Sequence, residues 1–206
     1  KQGAIADYNQ AINIKPDYAL AYNNRGIAKK NLGDKQGAIA DYNQAINIKP
    51  DYADAYNYRG IAKKNLGDYQ GAIADYNQAI KIKPDYADAY NYRGIAKKNL
   101  GDYQGAIADY NQAINIKPDY ADAYNNRGLA KYELGDYQGE IADYNQAINI
   151  KPDYADAYYN RGLAKDDLED KQGAIADYNQ AAQLYSQQDN MEMYLKALDN
   201  IKNLEK

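Results

Sequence analysis

Five arginines recur at a spacing of 34 residues, at Arg25, Arg59, Arg93, Arg127 and Arg161. Aspartates recur with the same period at Asp7, Asp41, Asp75, Asp109, Asp143 and Asp177, each immediately before a tyrosine. The arginines fall on a stripe of alanine and leucine, where a guanidinium has to find a partner because an unpaired buried charge is expensive. Two chemistries fit: capture of an anion, or internal ion pairing. The matched periods favour pairing, since every arginine has one such Asp in the preceding helix and one in its own repeat. Further carboxylates, such as Asp85 and Asp88, sit around the turns. No loop has EF-hand spacing, and Asp at helix starts is explained by capping, so no metal site is expected.

What is missing limits the chemistry further. The chain has no Cys and no His, a single serine (Ser186) and no threonine. That removes a thiolate nucleophile, disulfides, the usual general base and the commonest nitrogen ligand. No catalytic residue and no cofactor is expected; the chain does not read as an enzyme. Gly94 and its equivalents lie in mid-helix without the glycine-rich context of a phosphate loop. The net charge of −4 suits a nucleic-acid backbone poorly, and no apolar run approaches the roughly 20 residues of a membrane span. A cytoplasmic protein with a protein or peptide partner, binding neither nucleic acid nor membrane, is the expectation.

These residues are positioned by a repeat. Ala87–Tyr120 reads ADAYNYRGIAKKNLGDYQGAIADYNQAINIKPDY, and Ala53–Tyr86 differs from it only in having Lys81 where Asn115 stands. Pro16, Pro50, Pro84, Pro118 and Pro152 mark the same period. A fixed period of this size indicates a stacked repeat array. Each unit reads as two helices. Ala106, Ile107, Tyr110, Ala113 and Ile114 lie on one face of a 3.6-residue period. Ala89, Ala96 and Leu100 form a stripe in the other helix. Gly101 ends the first helix in the left-handed conformation and Asp102 caps the second; Pro118 stops the second helix and Asp119 is expected to cap the next. Gly94 lets helices approach to about 8 Å. Gly37, Gly71 and Gly105 cost about 1 kcal/mol each relative to Ala, and the sequence supplies no packing reason for them.

The pattern resembles the tetratricopeptide repeat: Tyr90, Gly94, Ala106, Tyr110, Ala113 and Pro118 occupy the family's fourth, eighth, twentieth, twenty-fourth, twenty-seventh and thirty-second positions. Arg93 at the seventh and Lys97 at the eleventh depart from it. The resemblance covers nearly the whole chain and implies an all-α, right-handed superhelical solenoid of antiparallel helix pairs. It implies one array: a half repeat at 1–18, full repeats at 19–52, 53–86, 87–120, 121–154 and 155–188, and a capping helix at 189–206.

The resemblance also implies a concave groove lined by the first helices. Carried over, it contains Asn57, Asn91 and Asn125 in one row, and Tyr58, Tyr92 and Asn126 in the next, with Lys64 and Lys98. A carboxamide both donates and accepts, so the asparagines suit a peptide backbone of any sequence; alternatively they are filler on a solvated helix face. Asp54, Asp88 and Asp122 occupy a place where some family members have a basic carboxylate clamp, so that clamp is absent. The structural ion pairs expected are Arg25, Arg59, Arg93, Arg127 and Arg161 with Asp7, Asp41, Asp75, Asp109 and Asp143.

The ends differ from the middle. Lys1–Lys15 is a second helix without its partner, leaving Ala4, Ile5, Tyr8 and Ile12 as an apolar face for weak self-association. Opening in mid-repeat, the chain is expected to be a fragment. Glu140 replaces a small alanine and reads as tolerated. The fifth repeat turns acidic at Asp166, Asp167, Glu169 and Asp170, and the last helix has Tyr194, Leu195, Leu198 and Ile201 as its apolar stripe. The function expected is a non-enzymatic scaffold binding an extended peptide in the groove; the alternative is a spacer or consensus-like engineered array without a specific ligand.

Overall fold

The computed structural model describes residues 2–206, which form α-helices and, among them, no strand. They fall into two compact units that divide between Asp102 and Tyr103. The first contains α1 (Gln2–Ile14), α2 (Ala19–Lys30), α3 (Lys35–Ile48), α4 (Ala53–Lys64), α5 (Tyr69–Ile82) and α6 (Ala87–Asn99). The second contains α7 (Tyr103–Ile116), α8 (Ala121–Tyr132), α9 (Tyr137–Ile150), α10 (Ala155–Asp167), α11 (Lys171–Gln187) and α12 (Met191–Leu204). Within each unit, helices consecutive in sequence pack on one another, as a repeat whose apolar face is covered by its neighbours must.

The core is small residues around one large ring. In the first unit Ala38, Tyr42, Ala72 and Tyr76 are wholly buried, and in the second Tyr110, Tyr144 and Tyr178 have the same role. The Tyr42, Tyr76, Tyr144 and Tyr178 rings each lie across a first-helix glycine. A Cβ added at Gly26 would come within 2.6 Å of the Tyr42 ring, and one at Gly60 equally close to Tyr76. The mid-helix glycine therefore makes room for the tyrosine.

The turns follow two rules. Gly33, Gly67, Gly101 and Gly135 end first helices with φ between 76° and 90°, the left-handed region open to glycine. Asp34, Asp68, Asp136 and Asp170 then cap the second helices, each accepting from the backbone N–H three residues on. That donor is Gly37, Gly71, Gly139 or Gly173, and a Cβ there would collide with the capping carboxylate. The second-helix glycine thus has a reason: it admits the cap.

The other helix start differs from expectation. Tyr18, Tyr52, Tyr120 and Tyr154, not the preceding aspartates, occupy the cap position of the first helices, and no side chain caps them. The ends depart too. In α1, Ile12 is buried and Ala4, Ile5 and Tyr8 are half-buried, while Ile14 stands 78% exposed. The apolar face expected there is partly covered by α2; Lys1 lies outside the described residues. In α12 the buried residue is Ala197, flanked by half-buried Met193 and Tyr194, whereas Leu195 and Leu198 face outward. The expected stripe is turned partly away from the core.

Candidate functional site

The periodic charges form one arrangement, repeated. Arg59 grips Asp75 with two hydrogen bonds, Nε to Oδ2 at 2.9 Å and Nη2 to Oδ1 at 2.5 Å. Lys63 adds a contact to Oδ2 at 2.8 Å. Arg25 with Lys29 does the same to Asp41, Arg127 with Lys131 to Asp143, and Arg161 with Lys165 to Asp177. The remaining Nη1 donates backwards to an asparagine of the preceding helix: Asn9 for Arg25, Asn43 for Arg59, Asn77 for Arg93. Tyrosine rings three residues upstream lie under the guanidinium, 5.3 Å away for Tyr56 and Arg59. The aspartate is the buried partner, with only 4% of the Asp75 side chain exposed against 18% of Arg59. At Arg25 the hydrogen bond to Asp41 raises the guanidinium pKa still further.

Of the two aspartates open to Arg59, the one in its own repeat is the partner, and the preceding helix supplies an asparagine instead. One correction follows. Asp7, exposed, has no ion pair among the described residues: the position 16 residues before it, where its arginine would stand, is not in the sequence. The lysines were missed as partners because Lys97 and its equivalents read as departures from the family pattern. Their i+4 spacing from the arginines on one helix face was the available signal.

The groove row separates into buried and accessible members. Asn57, Asn91 and Asn125 are 2%, 3% and 5% exposed, wedged between helices. The Asn57 amide donates to the Tyr86 hydroxyl at 3.2 Å, and that hydroxyl donates to Asp54 at 2.8 Å. Asn125 accepts from Asn160 at 3.1 Å. As a ladder for a peptide backbone these three asparagines are therefore misassigned: the helix contacts cover them. The next row is accessible. Tyr58 and Tyr92 are half-buried, each stacked on a core ring, Tyr58 on Tyr42 at 6.1 Å and Tyr92 on Tyr76 at 6.2 Å. The Lys30 ammonium lies 5.5 Å over Tyr58, and Lys64 lies 5.5 Å over Tyr92. Burial lowers the pKa of both lysines, and Lys30 adds to the effect at Lys64. Lys98 and Asn126, also half-buried, belong to the same rows.

The second unit breaks this pattern at one place. Asn160 stands where Tyr58 and Tyr92 stand, Tyr132 where the lysines stand, and Glu140 where Ala72 stands. A cavity of about 230 Å³ opens there, lined by Leu129, Tyr132, Glu140, Tyr144, Leu163 and Asp167 among others. Glu140 is 1% exposed and its Oε1 has no hydrogen-bond partner. Burial, then Asp167 and Asp136, push its pKa up to about 7. It is an unsatisfied buried acid, not the merely tolerated substitution expected. Among the described residues, no group of three or more acidic side chains is placed to hold a metal ion, and no helix is long and apolar enough to cross a membrane.

Comparison with known proteins agrees with this architecture. The chain is similar to the crystal structure of MamA, at 27% identity over 80% of this chain and 96% of that one, with a TM-score of 0.71. It is similar in fold to YrrB, described as a TPR protein with an unusual peptide-binding site, at 19% identity over 93% and 97% of the two chains (TM-score 0.68). TTC0263, a thermophilic TPR protein in Thermus thermophilus, matches at 17% identity over 89% and 98% (TM-score 0.73). No curated protein matches the sequence. The family model described as TPR repeat matches residues 2–33, 30–67, 63–101, 96–135 and 129–165, and the one described as tetratricopeptide repeat matches 155–188. The chain belongs to the tetratricopeptide repeat family.

Proposed function

We propose that the protein is a non-enzymatic scaffold that holds an extended peptide along the accessible row of its first helices. The family and its solved members support a protein-interaction role, and they are generally non-catalytic scaffolds. YrrB is described as having a peptide-binding site, but at 19% identity it speaks for the fold. The observation that carries the reading is the Tyr–Lys row of the first unit. Tyr58 and Tyr92 are held by stacking, so a ligand packing on them orders little that was free. Lys30 and Lys64 lie within reach of the same ligand and favour acidic residues.

The probe is a fluorescein-labelled 12-residue peptide of alternating Glu and Gly, titrated at low salt. Lys30→Gln with Lys64→Gln is expected to weaken binding at least five-fold, and added salt to weaken it further. Gln78→Ala with Gln112→Ala, exposed on second helices, is expected to leave it unchanged. The reverse result would move the site to the second helices.

A second reading, a spacer or engineered array, is favoured by the single difference between Ala53–Tyr86 and Ala87–Tyr120, because identical subsites discriminate little between ligands. Absence of salt-sensitive binding to any charged peptide would favour it.

A further inference from the structure

The cavity beside Glu140 lies in the second unit, and at the matching place in the first unit stands a tyrosine ring. There Ile61, Ala72, Tyr76 and Ala96 form a cluster with Tyr92 packed against it, and the Lys64 ammonium lies 5.5 Å from the centre of the Tyr92 ring. In the second unit Asn160 is too short to fill the space that Tyr92 fills. Tyr132 replaces the lysine, so the chain no longer supplies its own ammonium at this register. In place of both, the cavity wall includes Glu140, whose Oε1 is buried behind that wall without a partner.

We infer that this cavity is a subsite for a primary ammonium group, supplied by the lysine side chain of a peptide partner; this rests on the peptide-scaffold reading above. The walls suit that side chain. Leu129, Leu163 and the Tyr144 ring offer apolar surface to a four-carbon stem, and Glu140 lies among them to meet the charge. A single unpartnered Oε1 matches the compact ammonium better than the forked guanidinium, which seeks two acceptors. The charged and titratable groups around Glu140 oppose any further anion: Asp136 at the start of α9, Tyr132 and Glu133 at the end of α8, and Asp167 at the end of α10. The nearby cations are engaged elsewhere, Lys131 on Asp143 and the Gly139 carbonyl, and Lys165 on Asp177. Acid and apolar wall thus coincide with no resident counter-charge. Because burial holds the Glu140 carboxyl near neutral pH in the free protein, an entering ammonium lowers its pKa and releases a proton.

The test is methyl NMR of the full chain at pH 8, following Leu129 and Leu163, with n-butylammonium chloride as the first probe. Saturable shifts confined to these leucines are expected. They should weaken at least ten-fold in Glu140→Gln and at pH 5, where the acid is protonated. They should vanish in Asn160→Tyr, which fills the cavity and leaves the acid in place. Equal binding by Glu140→Gln, or shifts spread over the surface, would overturn the subsite. The second probe pair is acetyl-Gly-Ala-Lys-Ala-Gly-amide and its norleucine counterpart. Preference for the lysine peptide is expected. Binding of butylammonium without that preference would overturn the lysine source while the cavity chemistry stands. The peptide-scaffold reading itself is tested separately, through Lys30 and Lys64 in the other unit.

Discussion

Two equivalent spaces in this molecule have opposite contents. Between α4, α5 and α6, Ala72 is wholly buried, the Tyr92 ring stacks on Tyr76, and a lysine of the same chain lies over that ring. Between α8, α9 and α10 the same backbone arrangement holds a buried glutamate, an asparagine in place of the ring, and open volume. A repeat protein supplies its own control here, because the order of the helices and the Arg–Lys–Asp cluster recur in both places. The lining changes most at three side chains, Tyr132, Glu140 and Asn160, contributed by three different helices; Glu133 and Asp167 also stand where the first unit has Asn65 and Asn99, and leucines where it has Ile61 and Ile95. The first space is built for packing. The second gives up packing for an unsatisfied acid, which is what a site for a cation requires and what stability alone would not select.

The largest effect expected comes from restoring the alanine. The Glu140 carboxyl has its pKa raised to about 7 from an ordinary 4.5, so between those values the unfolded chain binds fewer protons than the folded one. Stability therefore falls as pH rises through that window; the penalty is absent below it and complete above it. The shift corresponds to something on the order of 3 kcal/mol. Glu140→Ala is expected to stabilise the second unit by up to that amount at pH 8 and by almost nothing at pH 4. Hydrogen exchange of α8–α10 in parent and variant across this range checks it. A difference independent of pH would mean that Glu140 is not the titrating group.

Opening the first space is expected to cost less. Tyr92→Asn reproduces the asparagine of the second unit where the neighbours are Ala72 and Lys64. It removes a stacked ring and its apolar burial but introduces no buried charge. A half-buried ring with one aromatic partner is worth about 1–2 kcal/mol here, combining lost area with the pair itself. Urea unfolding followed by the exchange of α4–α6 measures it. A loss above about 3 kcal/mol would show that the ring is core and unavailable to a ligand.

What was legible in the sequence was whatever repeats. The period gave the helices, and matched spacing gave Arg59 its carboxylate, because both follow from local geometry. The cap at Asp68 was legible for the same reason. Asp119 was misread because one residue of phase at a helix start decides which side chain is the cap. The groove asparagines were placed by family position alone, and the partner of the Asn57 amide, the Tyr86 hydroxyl, is 29 residues away. Glu140 was the hardest. A lone departure has no periodicity to interpret, and its environment is set by Asn160 and Asp167 on the following helix. Sequence patterning sees what recurs along a helix; it does not see the space left where one neighbour is shorter.

The smallest effect expected lies at the turn between the two helices of a repeat, where one backbone conformation is held by different residues. Gly33, Gly67 and Gly101 turn the chain with positive φ at no steric cost, and so does Gly135. At the matching place in the fifth repeat stands Glu169, with φ of 61°. A side chain in the left-handed region costs roughly 1–2 kcal/mol relative to the right-handed one. Glycine relieves that strain but gives the unfolded chain more freedom, which offsets about 0.4–1 kcal/mol of the gain. Glu169→Gly is thus expected to stabilise the second unit by about 0.5–1 kcal/mol, and the matching Gly67→Glu to destabilise the first by a similar amount. Removing Glu169 also takes one negative charge from the acidic end of the second unit, so the measurement belongs at high salt, where screening leaves the backbone effect. Thermal unfolding of the pair checks it. Stabilisation by Glu169→Ala as large as by Glu169→Gly would assign the effect to charge rather than to the backbone, because alanine keeps the Cβ that the left-handed turn strains.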